Sequence, residues 1–425
     1  MDFSHVIHSR ATPLSLPRPP KHAGYMTPNT ATTPARPQRP QRRPGPGQSR
    51  TRQSRIPGGA LDARIPPLRV RIGSPTSLLA VIPGLLGFDP GHSIVVIGTD
   101  PGTAQVRITL RYDVPDPRHP RVAAALARHA VSLLTAQGVT TAVAAGYGTD
   151  AAVSPVAAAL RERAATAGIA VTELLRADNG RYWSYVCRDP ECCPPEGTPF
   201  DVTDHPAARA LRAGGGRVLA DRDALAATVA ATGGPQGAVM RRATRRSLAS
   251  VVRCATRLDR AGMHVAVPRL TATLGQVAVL DAIGRYREGW VVPAEHAAWL
   301  TVALAQVRVR DDAWARMDPA HQGAHLRLWT DLTRLARPGY VAAPASLLAF
   351  VAWQAGDGAL ANVALDRALA DNARYTMALL LREALDSGAP PSMARLPMTP
   401  EEVAAAYDAA EAAEDAAEAR RTDIS

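Results

Sequence analysis

The sequence has few cysteines, almost no lysine and no long apolar run, and each shortage excludes a class of protein. Four cysteines in 425 residues are too few for a disulfide scaffold, so we expect a reducing, cytoplasmic environment. The only lysine is Lys21, near the N-terminus, which excludes a Walker A loop, a Schiff-base lysine and the protein-kinase lysine. No apolar run reaches the roughly 18 residues that a membrane-spanning helix needs. The charged-then-apolar pattern of a signal peptide is absent as well.

The net charge of +11 is concentrated in the N-terminal segment. Residues 1–72 hold 13 basic and 2 acidic side chains, so the remainder is nearly neutral. Residues 1–66 are rich in proline and arginine and poor in apolar side chains, which predicts a disordered basic tail. Such a tail would bind nucleic acid or an acidic partner weakly. The alternative is a tail that is merely solvated, or an overextended gene start.

Strands and helices alternate between residues 67 and 230. A short strand is predicted over 68–72, and Ser74-Pro75 predicts the start of a helix, as an N-cap followed by proline at the first helical position. The almost continuous apolar run 93–98 predicts a buried strand. Further strands are predicted over 106–112, 140–147 and 171–175, with helices between them. The polar and apolar residues of 106–112 alternate, which predicts one polar face. This order of elements is typical of an α/β domain with a mixed or mostly parallel sheet.

The pattern becomes helical after Gly233-Gly234-Pro235 and predicts an all-α domain over 236–390. Helices are predicted over 237–258, 270–288, 293–307, 319–336, 345–355, 359–370 and 375–386. Small residues between 352 and 368 resemble the packing of tetratricopeptide repeats, although a plain helical bundle explains them nearly as well. Residues 397–425 predict a loosely attached acidic Ala/Glu-rich helix, which Thr399-Pro400-Glu401-Glu402 would cap.

Three stretches together resemble a known family. They are Leu85-Leu86-Gly87-Phe88-Asp89-Pro90 with the strand that follows, Tyr182–Cys187 with Cys192–Pro199, and 352–368 with its Gly356-Asp357-Gly358. The Trp-Ser-Tyr and Cys-Cys-Pro-Pro-Glu-Gly block is the specific part. These stretches resemble the domain of unknown function 4192 (DUF4192) family of high-GC Gram-positive bacteria, over about residues 67–390. The resemblance implies no established activity.

The segment 187–199 holds three of the four cysteines, Cys187, Cys192 and Cys193, among turn-forming residues. With His205 they are weak candidates for a metal site, because Cys187-x4-Cys192 is longer than the usual spacing and adjacent cysteines rarely reach one ion. There is no Cys-x-x-Cys motif for redox work. The alternative is a rigid, proline-clamped loop whose buried thiols pack on Trp183. No cofactor is predicted.

A catalytic role is the other option for this loop. The candidates are Cys192, Cys193 and Glu196, together with Arg111 and Asp113 at the end of another strand. A cysteine nucleophile needs a nearby base, and the sequence does not place one.

The segment Gly146-Tyr147-Gly148-Thr149-Asp150 lies where a strand should end and a helix begin. Ligands gather at such strand ends in open α/β sheets. The ligand-binding candidates are Gly146, Gly148, Asp150, Trp183 and Tyr185. Arg111 and Asp113 are expected to line the same rim. The motif is not GxGxxG, and a tight turn is the alternative.

An arginine stripe is predicted on the helix over 237–258 and its continuation. No acidic residue lies between Asp223 and Asp259. At 100° per residue, five arginines fall within about 60° of one another. They are Arg242, Arg246, Arg253, Arg257 and Arg260. The stripe could bind phosphates or an acidic partner, including the C-terminal acidic helix of the same chain, or could simply be solvated.

These observations favour a non-enzymatic regulatory or protein-interaction protein, with a protein partner of unknown identity and no membrane. One alternative is an enzyme whose site lies at the strand ends and uses the Cys187–Glu196 loop. The other is nucleic-acid binding through the basic tail and the arginine stripe, which lack a known binding module nearby.

Overall fold

The computed structural model describes residues 6–7, 73–100, 105–213, 218–263, 266–394 and 398–422. The predicted strand over 68–72 lies outside these ranges. So does the predicted disordered tail, apart from the two residues Val6–Ile7. None of the described helices is both long and apolar enough to cross a membrane.

The described strands form one mixed sheet in the order β1-β3-β2-β4-β5-β6-β7. Their bounds are β1 Val6–Ile7, β2 Ser93–Thr99, β3 Val106–Asp113, β4 Thr141–Tyr147, β5 Ala170–Asp178, β6 Arg181–Ser184 and β7 Thr198–Pro199. Only β4 and β5 pair in parallel; the other pairs are antiparallel. The mixed sheet is therefore confirmed, and the mostly parallel alternative is wrong. Strand β3 follows β2 in the chain and pairs with one edge of it. The helix after β3 then carries the chain across to β4, which pairs with the other edge of β2.

Two helices, α2 (Pro120–Ala136) and α3 (Asp150–Thr166), cover one face of the sheet. Their apolar stripes pack with Ile94, Val96 and Leu110 in one buried cluster. These side chains alternate along their strands with those of the opposite face, as the two-residue period of a strand requires. One face of the sheet is thus closed by helices that lie between its own strands in the chain.

The opposite face is covered by α1 (Pro75–Leu86) and by the helical half of the chain. Helix α1 begins as predicted, because Ser74 Oγ accepts a hydrogen bond from Ser77 N at 3.1 Å. One hydrophobic cluster runs from Leu78 through Val95 of the sheet to Ala394. Both faces of β2 are therefore buried.

The predicted polar face of β3 is present, but it is buried. Thr109 and Arg111 point away from the α2 and α3 side and are buried beneath the helical half. Sequence alternation shows that a strand has two different faces, but it does not show what covers the second one. Here the polar face lies in the interior, and Arg111 has to find its partners there.

The helical half agrees with the predicted helices except for three that were missed, two short ones before residue 230 and one over Val307–Ala315. Its helices are α4 Pro206–Ala213, α5 Arg222–Thr228, α6 Gly234–Arg260, α7 Ala266–Arg287, α8 Ala294–Ala303, α9 Val307–Ala315, α10 Gln322–Leu335, α11 Ala342–Gln354, α12 Gly358–Asp371, α13 Thr376–Asp386 and α14 Pro400–Thr422, with 3-10 turns at Pro319–His321 and Pro391–Met393. Helix α9 was missed because its charged residues, Arg310 and Asp312 among them, are buried and conceal the apolar stripe.

Helices α11 and α12 form the centre of the helical half and pack closely against each other. Every residue from Ala342 to Trp353 is buried, so α11 is apolar all round, as a central helix must be. The likeness to tetratricopeptide repeats stays a prediction. Near the end of this half, Gln137 Nε2 of the turn after α2 donates to Gly388 O at 2.8 Å.

Helix α14 is held mainly by ion pairs. Its predicted capping box is present, since Thr399 N donates to Glu402 Oε2 at 2.7 Å and Glu402 N donates to Thr399 Oγ1 at 3.2 Å. Arg308 of α9 pairs with Asp408 at 2.6 Å and with Glu411 at 2.8 Å. The acidic helix therefore binds arginines of α7 and α9, and the prediction that it would bind the arginine stripe of α6 is not what the structure shows.

Candidate functional site

The three cysteines of the loop after β6 come together in space. The Sγ atoms of Cys187, Cys192 and Cys193 all lie within 4.8 Å of one another. Cys192 is exposed, and the other two are half-buried. The alternative of buried thiols packed on Trp183 is therefore wrong. Adjacent Cys192 and Cys193 do reach a common point, because the backbone turns sharply between 189 and 193.

Backbone hydrogen bonds fix the first part of this loop. Ser184 Oγ accepts from Cys187 N at 3.0 Å and donates to Glu173 Oε1 of β5 at 2.8 Å. Cys193 N donates to Asp189 O at 2.7 Å and closes the turn. Cys187 is thus held by a side chain of β6, and Cys193 by the backbone of the turn.

The second part of the loop is clamped against β6. Trp183 Nε1 donates to Pro195 O at 2.9 Å, and Arg181 donates to Gly197 O at 2.6 Å. The loop is therefore clamped as predicted, but Trp183 contacts the backbone of the loop and not the thiols.

The cysteines differ in how easily they lose a proton. The pKa of Cys187 is lowered, first because the backbone N–H of Asp189 donates to its sulfur and then because the Cys193 thiol donates to it. Burial first, and then its cysteine neighbours, raise the pKa of Cys193 to about 12. Of this pair, Cys187 therefore loses its proton more readily, whereas the catalytic candidates predicted from the sequence were Cys192 and Cys193.

Two further candidates of the loop are not drawn into the sulfur cluster. His205 lies at the start of α4, where its Nδ1 accepts from Ala207 N at 3.2 Å, and it is not among the clustered ligand atoms. Glu196 is exposed, and its backbone oxygen accepts from Arg181 at 3.3 Å. The structure supplies three sulfur atoms and no fourth ligand from these two residues.

Asp150, Trp183 and Tyr185 of the strand-end candidates do meet. Tyr185 Oη donates to Asp150 Oδ1 at 2.8 Å, and burial, followed by this bond, raises the pKa of Tyr185. Arg176 of β5 joins them: its Cζ lies 3.6 Å from the Trp183 ring centroid and its Nε lies 3.6 Å from Asp150. Arg176 was missed, although an arginine after Leu174-Leu175 at a strand end is the signal that could have identified it.

The glycines of the same segment have packing reasons. A Cβ on Gly146 would lie 2.3 Å from Val153 Cγ1, so only glycine lets α3 approach β4 here. Gly148 has a φ of 145°, which L side chains rarely adopt. Both facts agree with the tight-turn alternative. Ligand binding by these glycines stays a prediction.

Arg111 and Asp113 lie on the rim that the sequence predicted. Ser93 pairs with Asp113, and its neighbour Ile94 pairs with Gly146, so the ends of β3 and β4 flank the start of β2. The Nε atom of Arg111 donates to Ser93 Oγ at 2.8 Å, and its NH2 group pairs with Asp113 at 2.5 Å. Burial lowers the pKa of Arg111.

A small cavity of about 10 Å³ lies beside Arg111, between the sheet and α12. Phe88, Arg222, Asn362 and Val363 are among its lining residues. This volume has room for about one water molecule, which is too little for an organic substrate. A catalytic role of Arg111 and Asp113 stays a prediction.

The arginine stripe lies on the exposed side of α6. The buried residues of this helix are Gly237, Met240, Ala243 and Thr244, all in its first half, so no side chain from 245 to 260 is fully buried. Arg246 is paired with Glu295 of α8, and Arg253 bonds Ser250 at 2.8 Å. Among the described residues, the stripe's other three arginines, Arg242, Arg257 and Arg260, make no ion pair.

An exposed apolar stripe lies on the next helix, α7, and was not recognised in the sequence. Leu270, Leu274, Val277 and Leu280 are exposed, with Val277 exposed by 58%. Their spacing places them on one side of the helix, while the opposite side packs against α8, α9 and α10. The sequence does indicate this stripe, because both sides of α7 are apolar and only one of them can face the core.

Comparison with known protein families gives one match. The sequence model of the family described as "Domain of unknown function (DUF4192)" matches residues 75–392. The matched region includes the cysteine loop and helices α6 and α7, and it ends before α14. Neither the curated proteins nor the solved structures give a match.

Proposed function

The chain belongs to the DUF4192 family, and from the exposed surface of α6 and α7 we propose that it is a non-enzymatic protein-interaction protein whose partner presents an acidic amphipathic helix. The observations that carry the proposal are the arginine stripe on α6 and the exposed apolar stripe on α7, two consecutive helices that contact each other. We also propose that the protein is cytoplasmic, because its few cysteines suit a reducing compartment.

The apolar stripe is the part that calls for a partner. Exposed aliphatic side chains scattered singly are common, but four on one side of one helix form a contiguous patch of the kind that marks interaction sites. Leu270, Leu274, Val277 and Leu280 are between 37% and 58% exposed, so covering each of them fully would contribute about 1 kcal/mol. An apolar helix face laid against this stripe would supply that cover.

The arginine stripe determines the charge of the partner. Helices α6 and α7 are consecutive and contact each other, and the stripe extends about 27 Å along α6 at 1.5 Å per residue. No acidic side chain of α6 lies between Gly234 and Leu258 to neutralise it. A partner helix with carboxylates beside its apolar side chains would complement both surfaces. Arginine also suits interfaces because its planar group binds carboxylates with two parallel hydrogen bonds.

Nucleic acid fits this surface less well. Single strands are bound by aromatic side chains on which bases stack, and the only aromatic residue of α6 and α7 is the buried Tyr286. The aliphatic stripe of α7 offers nothing to a phosphate backbone. The observations therefore favour a protein partner.

Site-specific photo-crosslinking tests this proposal in the full chain. A benzophenone amino acid replaces Val277, or in the control Leu380, which is equally apolar and 67% exposed on α13. Crosslinking is done in cells of the native host, and the attached peptide is sequenced. We expect the residue at position 277, but not at 380, to capture one protein through a segment rich in Asp and Glu.

Charge reversal on α6 provides a second test of the proposed interaction. The double variant Arg253→Glu/Arg257→Glu should lower capture at position 277 by about 10-fold or more. The matched control Arg128→Glu/Arg163→Glu changes the net charge equally on α2 and α3 and should leave capture unchanged. Capture of nucleic acid, of a second copy of the chain, or of the same protein from position 380 would overturn the proposal. Capture that ignores the charge reversal on α6 would overturn it as well.

A further inference from the structure

The three-cysteine loop carries an inference that does not depend on the proposed interaction. We propose that Cys187, Cys192 and Cys193 together bind one zinc ion through three thiolates. The fourth coordination position would be left for water or for a ligand donated from outside the chain. No other described group of three or more His, Cys, Asp or Glu side chains comes close enough together to hold a metal ion.

The distances fit this ion. Zinc binds thiolate sulfur at about 2.3 Å, so three sulfurs at the corners of a tetrahedron lie roughly 3.8 Å apart. The sulfurs of Cys187, Cys192 and Cys193 lie within 4.8 Å of one another. Side-chain rotations of the exposed Cys192 and its half-buried neighbours would have to close the remaining difference when the ion binds.

The hydrogen bonds that hold Cys187 and Cys193 in the loop are donated by their backbone N–H groups and not by their thiols. Cys187 is anchored through its backbone N–H to Ser184 Oγ, and Cys193 through its backbone N–H to Asp189 O. Trp183 and Arg181 clamp the following segment from β6. A ligand set held in place before the metal arrives needs less ordering on binding.

The ligand type favours zinc over other common ions. Three thiolates are soft ligands, which disfavours magnesium and calcium. Iron–sulfur clusters are held by four cysteines in most cases, and the described part of this chain brings only three together. Metal binding would release the three thiol protons to solvent, so the affinity for zinc should rise with pH.

The open fourth position determines what the site could do. Structural zinc sites are closed by four protein ligands, whereas sites with three keep one position for an exchangeable ligand. Cys192 is exposed, so a donor from solvent can reach the ion. We therefore assign the site to zinc that accepts an external ligand, and not to an ion enclosed by the fold.

Zinc titration of the full chain tests the assignment. The protein is purified with a phosphine reductant, stripped of metal and titrated with Zn²⁺ against a coloured chelator. Cys187→Ser, Cys192→Ser and Cys193→Ser are compared with Cys254→Ser, which removes the fourth cysteine, on α6, away from the loop. We expect about one zinc per chain in the parent and in Cys254→Ser. Each loop variant should bind zinc more weakly by over about 100-fold, more than the loss of a hydrogen-bond partner of a ligand costs.

Proteolysis gives a readout that does not depend on the chelator. Arg188 is exposed between Cys187 and Cys192, so trypsin can cut after it in the metal-free chain. Zinc should slow this cut in the parent and in Cys254→Ser, but not in Cys192→Ser. Thermal unfolding of each metal-free variant shows that it is folded. Absence of zinc binding, equal affinity in the loop variants, or equal loss in Cys254→Ser would overturn the assignment.

Discussion

Gly197 lies against the indole ring of Trp183 so closely that a Cβ on the glycine would be 2.4 Å from Trp183 Cε2. Its φ of 81° is in the left-handed region as well. The same indole ring lies under the guanidinium of Arg176, whose Cζ is 3.6 Å from the ring centroid. Both the loop backbone and Arg176 of β5 therefore contact Trp183. These contacts position the cysteine loop.

Gly197→Ala should destabilise the protein by about 2–4 kcal/mol, because the new methyl group must displace Trp183 and the backbone becomes strained. Urea unfolding followed by tryptophan fluorescence measures the loss. Gly180→Ala is the matched control, since Gly180 has a φ of 72° and open space around its Cα. It should cost about 1 kcal/mol from the backbone alone. Equal losses in the two variants would contradict the contact with Trp183.

Arg308→Ala should loosen helix α14. The side chain of Arg308 is 17% exposed and pairs with both Asp408 and Glu411, whereas Arg269, which also pairs with Glu411, is 41% exposed. We expect amide hydrogen exchange in 400–422 to accelerate about 5-fold in Arg308→Ala, and less in Arg269→Ala. High salt should reproduce part of the effect. Arg107→Ala, which breaks an exposed pair with Asp100, is the control. Unchanged exchange in 400–422 would show that the ion pairs do not hold the helix.

His325 should make the protein less stable in mild acid. This buried side chain accepts a hydrogen bond from Asp318 N at 3.2 Å. Burial, with Arg287 adding to it, lowers its pKa from 6.5 to about 4. Because the unfolded chain binds the proton more readily, the contribution of His325 is present above pH 6.5 and is lost as the pH falls toward 4. Between pH 7 and pH 5 the loss amounts to about 2 kcal/mol.

Urea unfolding at the two pH values measures this loss, and His325→Gln should reduce it. His119→Gln, at an exposed position before α2, serves as the control and should leave the pH dependence as it is. A wild-type pH dependence in His325→Gln would mean that other groups cause it. His321, one helical turn before His325, has a different partner, since its Nδ1 lies 2.7 Å from Asp318 Oδ2.

Arg111→Ala should destabilise the protein by about 2–4 kcal/mol, because it leaves a cavity beneath Phe88 and removes the donor to Ser93. Arg111→Met refills most of that volume without a buried charge and should cost less than about 1.5 kcal/mol. Urea unfolding of both variants checks the order. If methionine were as harmful as alanine, the charge of Arg111 and its pair with Asp113 would themselves stabilise the fold.

Local sequence patterns predicted the elements whose causes are local. The apolar run 93–98 became β2, the Ser74-Pro75 pair begins α1, and Thr399 with Glu402 caps α14. Each depends on residues within a few positions of one another, which a sequence displays directly. The arginine stripe was predicted for the same reason, because it requires only that 234–260 be one helix.

Features that depend on distant neighbours were not predictable in this way. The polar residues of β3 look solvent-facing until α12 is placed over them, and the charged α9 looks like a loop until Arg310 is seen to be buried. The meeting of adjacent Cys192 and Cys193 with Cys187 depends on a turn closed by Asp189 O. Arg176 acquires its position from Trp183, which belongs to a different strand.

The hydrogen bond from Gln137 to Gly388 joins positions 251 residues apart, and one hydrophobic cluster includes both Leu78 and Ala394. During synthesis, the N-terminal residues leave the ribosome long before their partners exist. Helix α1 covers part of the side of the sheet that holds Val95 and Ile97, but the rest of that side stays uncovered until the helical half has been made. The nascent chain therefore exposes an apolar sheet face for most of its translation time, and that face is where a chaperone would bind.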